Sequence, residues 1–372
     1  MNKPIRVLHV LTAMKRAGAE TMLMNLFRNI DRSKIQFDFA VSTNEKCDYD
    51  DEIMALQGRI YHYPKYTGYN HFAYKKWWDR FFSEHQEYRI IHGHVNSTAA
   101  IYLKAAKQHG LYAIAHSHTT SSGSGVSAIM KDLYQWPIRY IADFFMACSH
   151  EAGVWLFGQK VCGSNKFLVL RNAIDTSLFS YDENKRSNIR TQLNIDHNYV
   201  IGHVGRFVPE KNHAFIINVF RTYLKINSNA VLLLVGAGPL KEQIAASVRD
   251  IKDRVIFLGS RDDVYNWLLA MDVFLFPSLY EGLGIAVIEA QASGLPCVVS
   301  DKVPKAASCT DLVSFLPLSD NAGKWVDAIN NCAACQAHRR DYINEVKRAG
   351  YDVKQTAKEL EEFYLRVGEQ YE

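Results

Sequence analysis

The chain has 372 residues, 48% hydrophobic and 22% charged, with a formal charge of +4, an ordinary globular composition at a length that favours two domains over one core. Residues 1–170 hold 20 Lys/Arg against 14 Asp/Glu and the remainder 23 against 25; a first half this mildly basic suits an anionic acceptor or a phospholipid surface, and excludes nucleic acid as the main partner because it lacks a clustered basic stripe. No apolar run approaches the roughly 20 residues that a membrane helix needs, so the expected location is the cytoplasm.

Strand-like runs at 6–11, 37–42, 59–63, 89–94, 112–116, 144–149 and 166–170 alternate with helical patterns at 20–29, 72–83, 98–108 and 128–141. This alternation is the signature of βαβ units and of one doubly wound, parallel-sheet domain. The polar stretch 175–198 reads as a linker and hinge. Strands resume at 200–204, 230–235, 254–258, 272–276, 296–300 and 312–316, with helices at 213–226, 239–250, 262–270 and 284–293. After about residue 320 only helical patterns remain. The expected division is a first domain over 1–175, a second over 176–353, and a C-terminal helix at about 354–372 packing back on the first. Two such α/β domains in series place the expected site in a cleft between the carboxyl ends of their facing strands.

Seven cysteines, at 47, 148, 162, 297, 309, 332 and 335, are too scattered for a disulfide framework. Cys332-Ala-Ala-Cys335 lacks a second ligand pair and is given no role.

Glu281-Gly282-Leu283-Gly284-Ile285-Ala286-Val287-Ile288-Glu289 follows a buried strand and runs into a helix. Glu281 is expected at the strand end, and the amides at Leu283, Gly284 and Ile285 near a helix start, where orphan donors and the positive dipole end favour phosphate. Gly205-Arg206-Phe207-Val208-Pro209-Glu210-Lys211 puts two cations five apart on a turn after a strand, suited to the charge growing on a departing diphosphate. Such a pair can stand in for a divalent metal, although two solvated cations on a surface turn read the same way. In Ala115-His116-Ser117-His118 the imidazoles alternate on a strand end and share a face. No third metal ligand is visible at a recognisable spacing, which favours hydrogen bonding to a sugar over zinc.

Other segments receive blander readings. His9, His92, His94 and His203 read as packing or polar-network residues. Gly236-Ala237-Gly238-Pro239 has no third glycine at Lys241 and is not the dinucleotide fingerprint. Asp48 and Asp50 lie in a charged loop and are expected to be solvated. In the aromatic and basic stretch 72–82, Phe72, Trp78 and Phe82 are spaced to face inward on an amphipathic helix, with peripheral membrane association left open.

Taken in order, the Gly18 loop (Arg16-Ala17-Gly18-Ala19-Glu20), His116-Ser117-His118, Arg171-Asn172-Ala173-Ile174-Asp175, Arg206 with Lys211, and Glu281 with Glu289 resemble retaining glycosyltransferase family 4, across essentially the whole chain. The branch it is most similar to is that of bacterial capsule and exopolysaccharide biosynthesis. The resemblance implies the GT-B fold, two facing Rossmann-like domains with a cleft between them. It also implies transfer from a nucleotide diphosphate sugar, UDP-sugar favoured, to a hydroxyl of a glycan or lipid-linked glycan, without cofactor or metal.

Donor binding is implied for Gly18, His116, Asn172, Gly205, Arg206, Lys211, Glu281, Gly282, Leu283, Gly284 and Glu289. Within that set, Arg206 and Lys211 would grip the diphosphate, Glu289 the ribose hydroxyls and Glu281 hydroxyls of the sugar, with His118 at the reacting centre and His116 beside it. The family commonly has two glycines where this chain has Ala17 then Gly18, and Gly18 takes the place of close phosphate approach. The competing readings are a nucleotide-sugar epimerase or hydrolase on the same fold, separated by whether nucleotide release requires an acceptor, and a non-catalytic nucleotide-sugar-binding partner.

Overall fold

The computed structural model describes residues 3–119, 132–335 and 339–369, and the chain divides into two compact units, Met1–Ile174 with Gly350–Glu372, and Asp175–Ala349. The first unit is built on a seven-stranded sheet: β1 (Ile5–Val10), β2 (Ile35–Val41), β3 (Ile60–His62), β4 (Tyr88–Gly93), β5 (Tyr112–Ser117), β6 (Phe144–Ala147) and β7 (Phe167–Val169). Their order is β3-β2-β1-β4-β5-β6-β7, and every pairing is parallel. The near-continuous burial of β1, β2, β4 and β5 explains why they read as apolar runs, since a parallel sheet is covered on both faces.

Helices α1 (Gly18–Asn29), α2 (His71–Glu84) and α3 (Asn96–Gln108) follow β1, β3 and β4. Trp78 and Phe82 of α2 are buried as their spacing predicts, but Phe72 is 84% exposed. The inward stripe starts at Tyr74, whose ring packs against Tyr63 and Tyr66. Of the helix expected over 128–141, residues 128–131 lie outside the described residues; 132–135 and Ile138–Ile141 are helical.

The second unit carries β8 (Tyr199–Val204), β9 (Ala230–Val235), β10 (Val255–Gly259), β11 (Val273–Phe276), β12 (Cys297–Ser300) and β13 (Val313–Leu316). Their order is β10-β9-β8-β11-β12-β13, again parallel throughout. In both sheets the chain starts in the middle, winds outward, and returns to the other side of its first strand. The switch points therefore fall between β1 and β4 and between β8 and β11, where doubly wound sheets bind ligands outside the carboxyl ends of the strands.

The stretch 175–198 is not a linker. It holds the helix α4 (Glu183–Gln192), capped by the Asp182 side chain on the Lys185 amide, and it belongs wholly to the second unit. Phe179, edge-on to Tyr265, and Ile195 are buried on either side of α4, but the helix itself is held by charge. Arg186 and Arg190, the latter 7% exposed, both reach the Asp272 carboxylate and the carbonyls of residues 269–271. Buried charges persist when each is paired and hydrogen-bonded, and a docking surface made of guanidinium groups leaves no hydrophobic periodicity to read.

The last helix, α7 (Val353–Glu369 once α5, His213–Leu224, and α6, Ile285–Ala292, are counted), belongs to the first unit. Ala357, Leu360, Tyr364 and Val367 recur every three or four residues and join a core cluster with Met22, Leu23 and Leu26 of α1 and Phe37 and Phe39 of β2. Burying each large side chain contributes on the order of 1.5–3 kcal/mol. No helix among the described residues is long and apolar enough to cross a membrane.

Candidate functional site

The predicted residues divide between the two units. Gly18, His116, His118 and Asn172 lie in the first, and Gly205, Arg206, Lys211, Glu281, Gly282, Leu283, Gly284 and Glu289 in the second.

In the second unit they gather beside the β8/β11 switch point. The chain leaves β8 at Gly205, where a Cβ would stand 2.9 Å from the His203 ring nitrogen and press on the Lys211 side chain. Gly236 is held at φ +143°, and a Cβ there would collide with the Gly205 carbonyl. The Phe207 amide donates to the Ala237 carbonyl at 2.9 Å. The glycines of 236–239 thus let one loop lie flat against another and support the Arg206 turn from below, a role that a motif search for a phosphate fingerprint does not reveal. Arg206 itself is exposed and makes no ion pair or side-chain hydrogen bond with any described residue.

Lys211 and Glu281, 70 residues apart, form an ion pair across the switch point, and the Lys211 ammonium also lies 4.7 Å from the centre of the Phe276 ring. The side chains are only 19% and 12% exposed, so their attraction is little screened. The Leu279 amide donates to the Glu210 carbonyl at 2.8 Å, tying the two loops together. Gly282 and the buried Leu283 lead to Gly284, which sits at φ +85° as the residue before α6. That left-handed geometry suits glycine. No side chain caps α6; the Val287 amide donates to the Gly284 carbonyl at 2.9 Å, and the amides ahead of it at the helix start suit an anion.

Glu289 lies in the second turn of α6 and forms no ion pair with any described residue. Burial pushes its carboxyl from 4.5 up to about 7. A carboxyl held above its ordinary value keeps its proton in the folded chain where the unfolded chain has lost it. Its stabilising contribution is complete below about pH 4.5 and disappears as pH rises through about 7. Between pH 5 and pH 8 the wild type is expected to lose about 2–3 kcal/mol relative to Glu289→Gln in urea melts; parallel pH profiles for the two proteins would refute this.

In the first unit Gly18 opens α1, whose N-cap Ala17 offers no side-chain oxygen. A Cβ on Gly18 would meet nothing within 4 Å and its φ is unremarkable, so neither the backbone nor the packing calls for glycine there. Asn172 keeps a buried side-chain oxygen with no partner among the described residues. Asp48 and Asp50 are not merely solvated. Asp48 accepts from the Arg16 amide at 2.9 Å and Asp50 from the Cys47 amide at 2.8 Å, which shapes the loop facing the start of α1.

His116 and His118 belong to a cluster of five histidines assembled from β1, β4 and β5 and the loops that follow them. His9 Nδ1 is 3.1 Å from His94 Nε2, His94 Nδ1 is 2.8 Å from His118 Nε2, and His92 Nε2 is 3.1 Å from His116 Nδ1. Burial lowers the imidazoles, His9 to about 3 and His118 to about 4, so the cluster is neutral near pH 7. One ring nitrogen each of His9, His116 and His118 is buried and has no hydrogen-bond partner among the described residues.

The third imidazole that sequence spacing does not show is His94: its ligating atom and those of His116 and His118 lie within 4.8 Å of one another. The signal was present as two His-x-His pairs, at 92/94 and 116/118. Their meeting depends on β4 and β5 being neighbours in the sheet.

Comparison with known proteins identifies the family and the fold. The sequence profile Glycosyltransferase Family 4 matches residues 16–178 and Glycosyl transferases group 1 matches residues 198–334. EpsF of Bacillus subtilis (strain 168), named as a glycosyltransferase, is 35% identical over 370 residues, covering 96% of each chain. The capsular polysaccharide biosynthesis glycosyltransferase CapH of Staphylococcus aureus is 23% identical over 97% of this chain and 99% of its own. Among solved structures, Alr3699/HepE of Anabaena in complex with UDP superposes with a TM-score of 0.79 at 17% identity, covering 97% of this chain and 99% of that one. The chain belongs to glycosyltransferase family 4 and has the two Rossmann-like domains of the GT-B fold.

Proposed function

We propose that this glycosyltransferase moves a sugar, with retention of anomeric configuration, from a nucleotide diphosphate sugar to a hydroxyl of a glycan or lipid-linked glycan in polysaccharide biosynthesis. A UDP-sugar is the favoured donor. The observation that carries the reading is the second unit's switch point: Arg206 with no described ion-pair partner, the Lys211–Glu281 pair, and the uncapped start of α6. HepE binding UDP and CapH serving capsule synthesis support the donor and the pathway class.

In this reading the bond between the anomeric carbon and the phosphate oxygen breaks with its electron pair going to the phosphate. The acceptor oxygen bonds to the same carbon on the same face, and its proton passes to the leaving phosphate. Arg206, Lys211 and the α6 amides stabilise the growing negative charge, so no metal is required. Glu281 and His118 hold the sugar, and Glu289 receives the ribose. Acceptor-dependent release of nucleotide in EDTA, with an axial or equatorial product linkage matching the donor by NMR, tests this. Release that ignores the acceptor, or inverted product, counts against it.

Peripheral attachment to the cytoplasmic membrane face is part of the proposal. It rests on α2, where exposed Phe72 has exposed Lys75 and Lys76 three and four residues on, one outer face with an aromatic ring and two cations. The wild type is expected to sediment with anionic vesicles and Phe72→Ser/Lys75→Ser/Lys76→Ser to stay largely in the supernatant; equal sedimentation would remove this part.

A further inference from the structure

The histidine cluster contains a row whose proton positions follow from its end group. Tyr364 of α7 is fully buried, and its hydroxyl lies 2.6 Å from His92 Nδ1. His92 Nε2 in turn meets His116 Nδ1 at 3.1 Å, and His116 Nε2 is the buried nitrogen left without a partner among the described residues. A phenol has one proton to place, and Tyr364 makes no other hydrogen bond among the described residues. Were it to accept from His92, its own O–H would have no acceptor among the described residues; when it donates, the unpaired proton moves along the row to His116 Nε2, where a ligand oxygen can take it. The hydroxyl therefore donates.

Each neutral imidazole carries a single N–H. With Nδ1 accepting from Tyr364, the His92 proton is on Nε2 and is donated to His116 Nδ1. The His116 proton is then also on Nε2. Burial holds both imidazoles well below their ordinary value, and it holds the Tyr364 phenol well above its own, so all three groups stay neutral through the physiological range.

We propose that Tyr364 and His92 are positioning residues that fix His116 as an Nε2–H donor, aimed at an acceptor oxygen of the nucleotide-sugar. The identity of that ligand and the direction of the row both rest on the function proposed above, since without an acceptor at His116 Nε2 either direction leaves one buried proton unpaired. The shared chemistry is a hydrogen-bond-accepting oxygen, from a phosphate or from a sugar hydroxyl.

The same row separates this reading from a metal site. Coordination through His116 Nε2 needs a lone pair there. That would move the His116 proton to Nδ1, reverse His92, and strand the Tyr364 hydroxyl. The companion row, His9 to His94 to His118, has no phenol at its head. Its direction is left to whatever meets His118 Nδ1, the ring nitrogen of His118 that has no partner among the described residues.

Long-range proton–nitrogen correlation on metal-free protein labelled with 15N-histidine reads the tautomers directly, with His116→Gln assigning the key resonance. The expected result is Nε2–H at both His92 and His116 from pH 5 to pH 8. Tyr364→Phe is expected to average the nitrogen shifts of both rings and to weaken UDP-glucose binding about fivefold. A His116 proton shift on adding UDP alone assigns the oxygen to phosphate, and a shift seen only with UDP-glucose assigns it to the sugar.

An Nδ1–H tautomer at His116 in the wild type overturns the proposal, as does stoichiometric zinc uptake with loss of the Nε2 proton; both are read without any variant, should Tyr364→Phe not fold. UDP-glucose that binds in an Arg206-dependent way without moving His116 overturns the ligand assignment. Absence of all nucleotide binding with the Nε2–H tautomer in place instead sinks the function proposed above and leaves the relay standing.

Discussion

Arg206→Ala is expected to lower kcat/KM by about 100- to 1,000-fold while leaving stability within about 0.5 kcal/mol of the wild type. The two halves of this expectation have separate causes. Arg206 is exposed on the turn after β8 and has no ion pair or side-chain hydrogen bond to any described residue, so removing it breaks nothing that holds the folded chain together. The turn is shaped by Gly205, Gly236 and the Phe207–Ala237 hydrogen bond, none of which uses the Arg206 side chain. Its contribution is then confined to charge that develops on the leaving diphosphate, where a fixed donor acts most strongly in the transition state. Arg206→Lys is expected to recover only part of the rate, because an ammonium does not reproduce the planar two-pronged grip on phosphate oxygens. Thermal melts and steady-state kinetics on the two variants check both halves. A destabilised Arg206→Ala, or one with unchanged kinetics, would show that the turn serves the fold.

The Lys211–Glu281 pair is expected to behave in the opposite way, affecting stability and rate together. The two side chains are mostly buried and paired. Lys211→Met leaves a carboxylate with no cation in a half-dry site and is expected to cost about 2–3 kcal/mol of stability, somewhat below the range for fully buried pairs. The rate is expected to fall by about 100-fold as the second phosphate contact is lost. Glu281→Gln removes the carboxylate and is expected to reduce the cost of losing Lys211. The double variant should therefore be at least about 1 kcal/mol more stable than the sum of the single effects predicts, while its activity stays as low as that of the worse single variant. Additive stabilities in urea melts would mean that the pair is not coupled in the folded chain, and a rate recovered in the double variant would mean that Lys211 acts only through Glu281.

Much of this architecture can be read from the sequence because it depends on local signals. Strands such as 230–235 and 273–276 are short apolar runs since parallel strands are buried on both faces, and the turns after β8 and β11 are marked by glycine next to charge. What could not be read depends on partners that the fold supplies. The helix over 183–192 is almost wholly polar and is held by Arg186 and Arg190 on Asp272, so no hydrophobic period announces it. Lys211 and Glu281 carry no mark of each other across 70 residues. His9, His92 and His94 look like strand packing until β1, β4 and β5 lie side by side, and Tyr364 reaches His92 from 272 residues away. Phe72 fits an inward stripe by spacing alone, yet it sits at the first turn of α2, ahead of the point where that helix meets the sheet.

The most direct measurement is saturation-transfer NMR of the purified protein with a panel of UDP- and GDP-sugars in excess EDTA, repeated on Arg206→Ala. The account predicts that one UDP-sugar binds without metal and that the signal is lost in the variant. No donor binding, or binding that appears only when a divalent ion is restored, would contradict it.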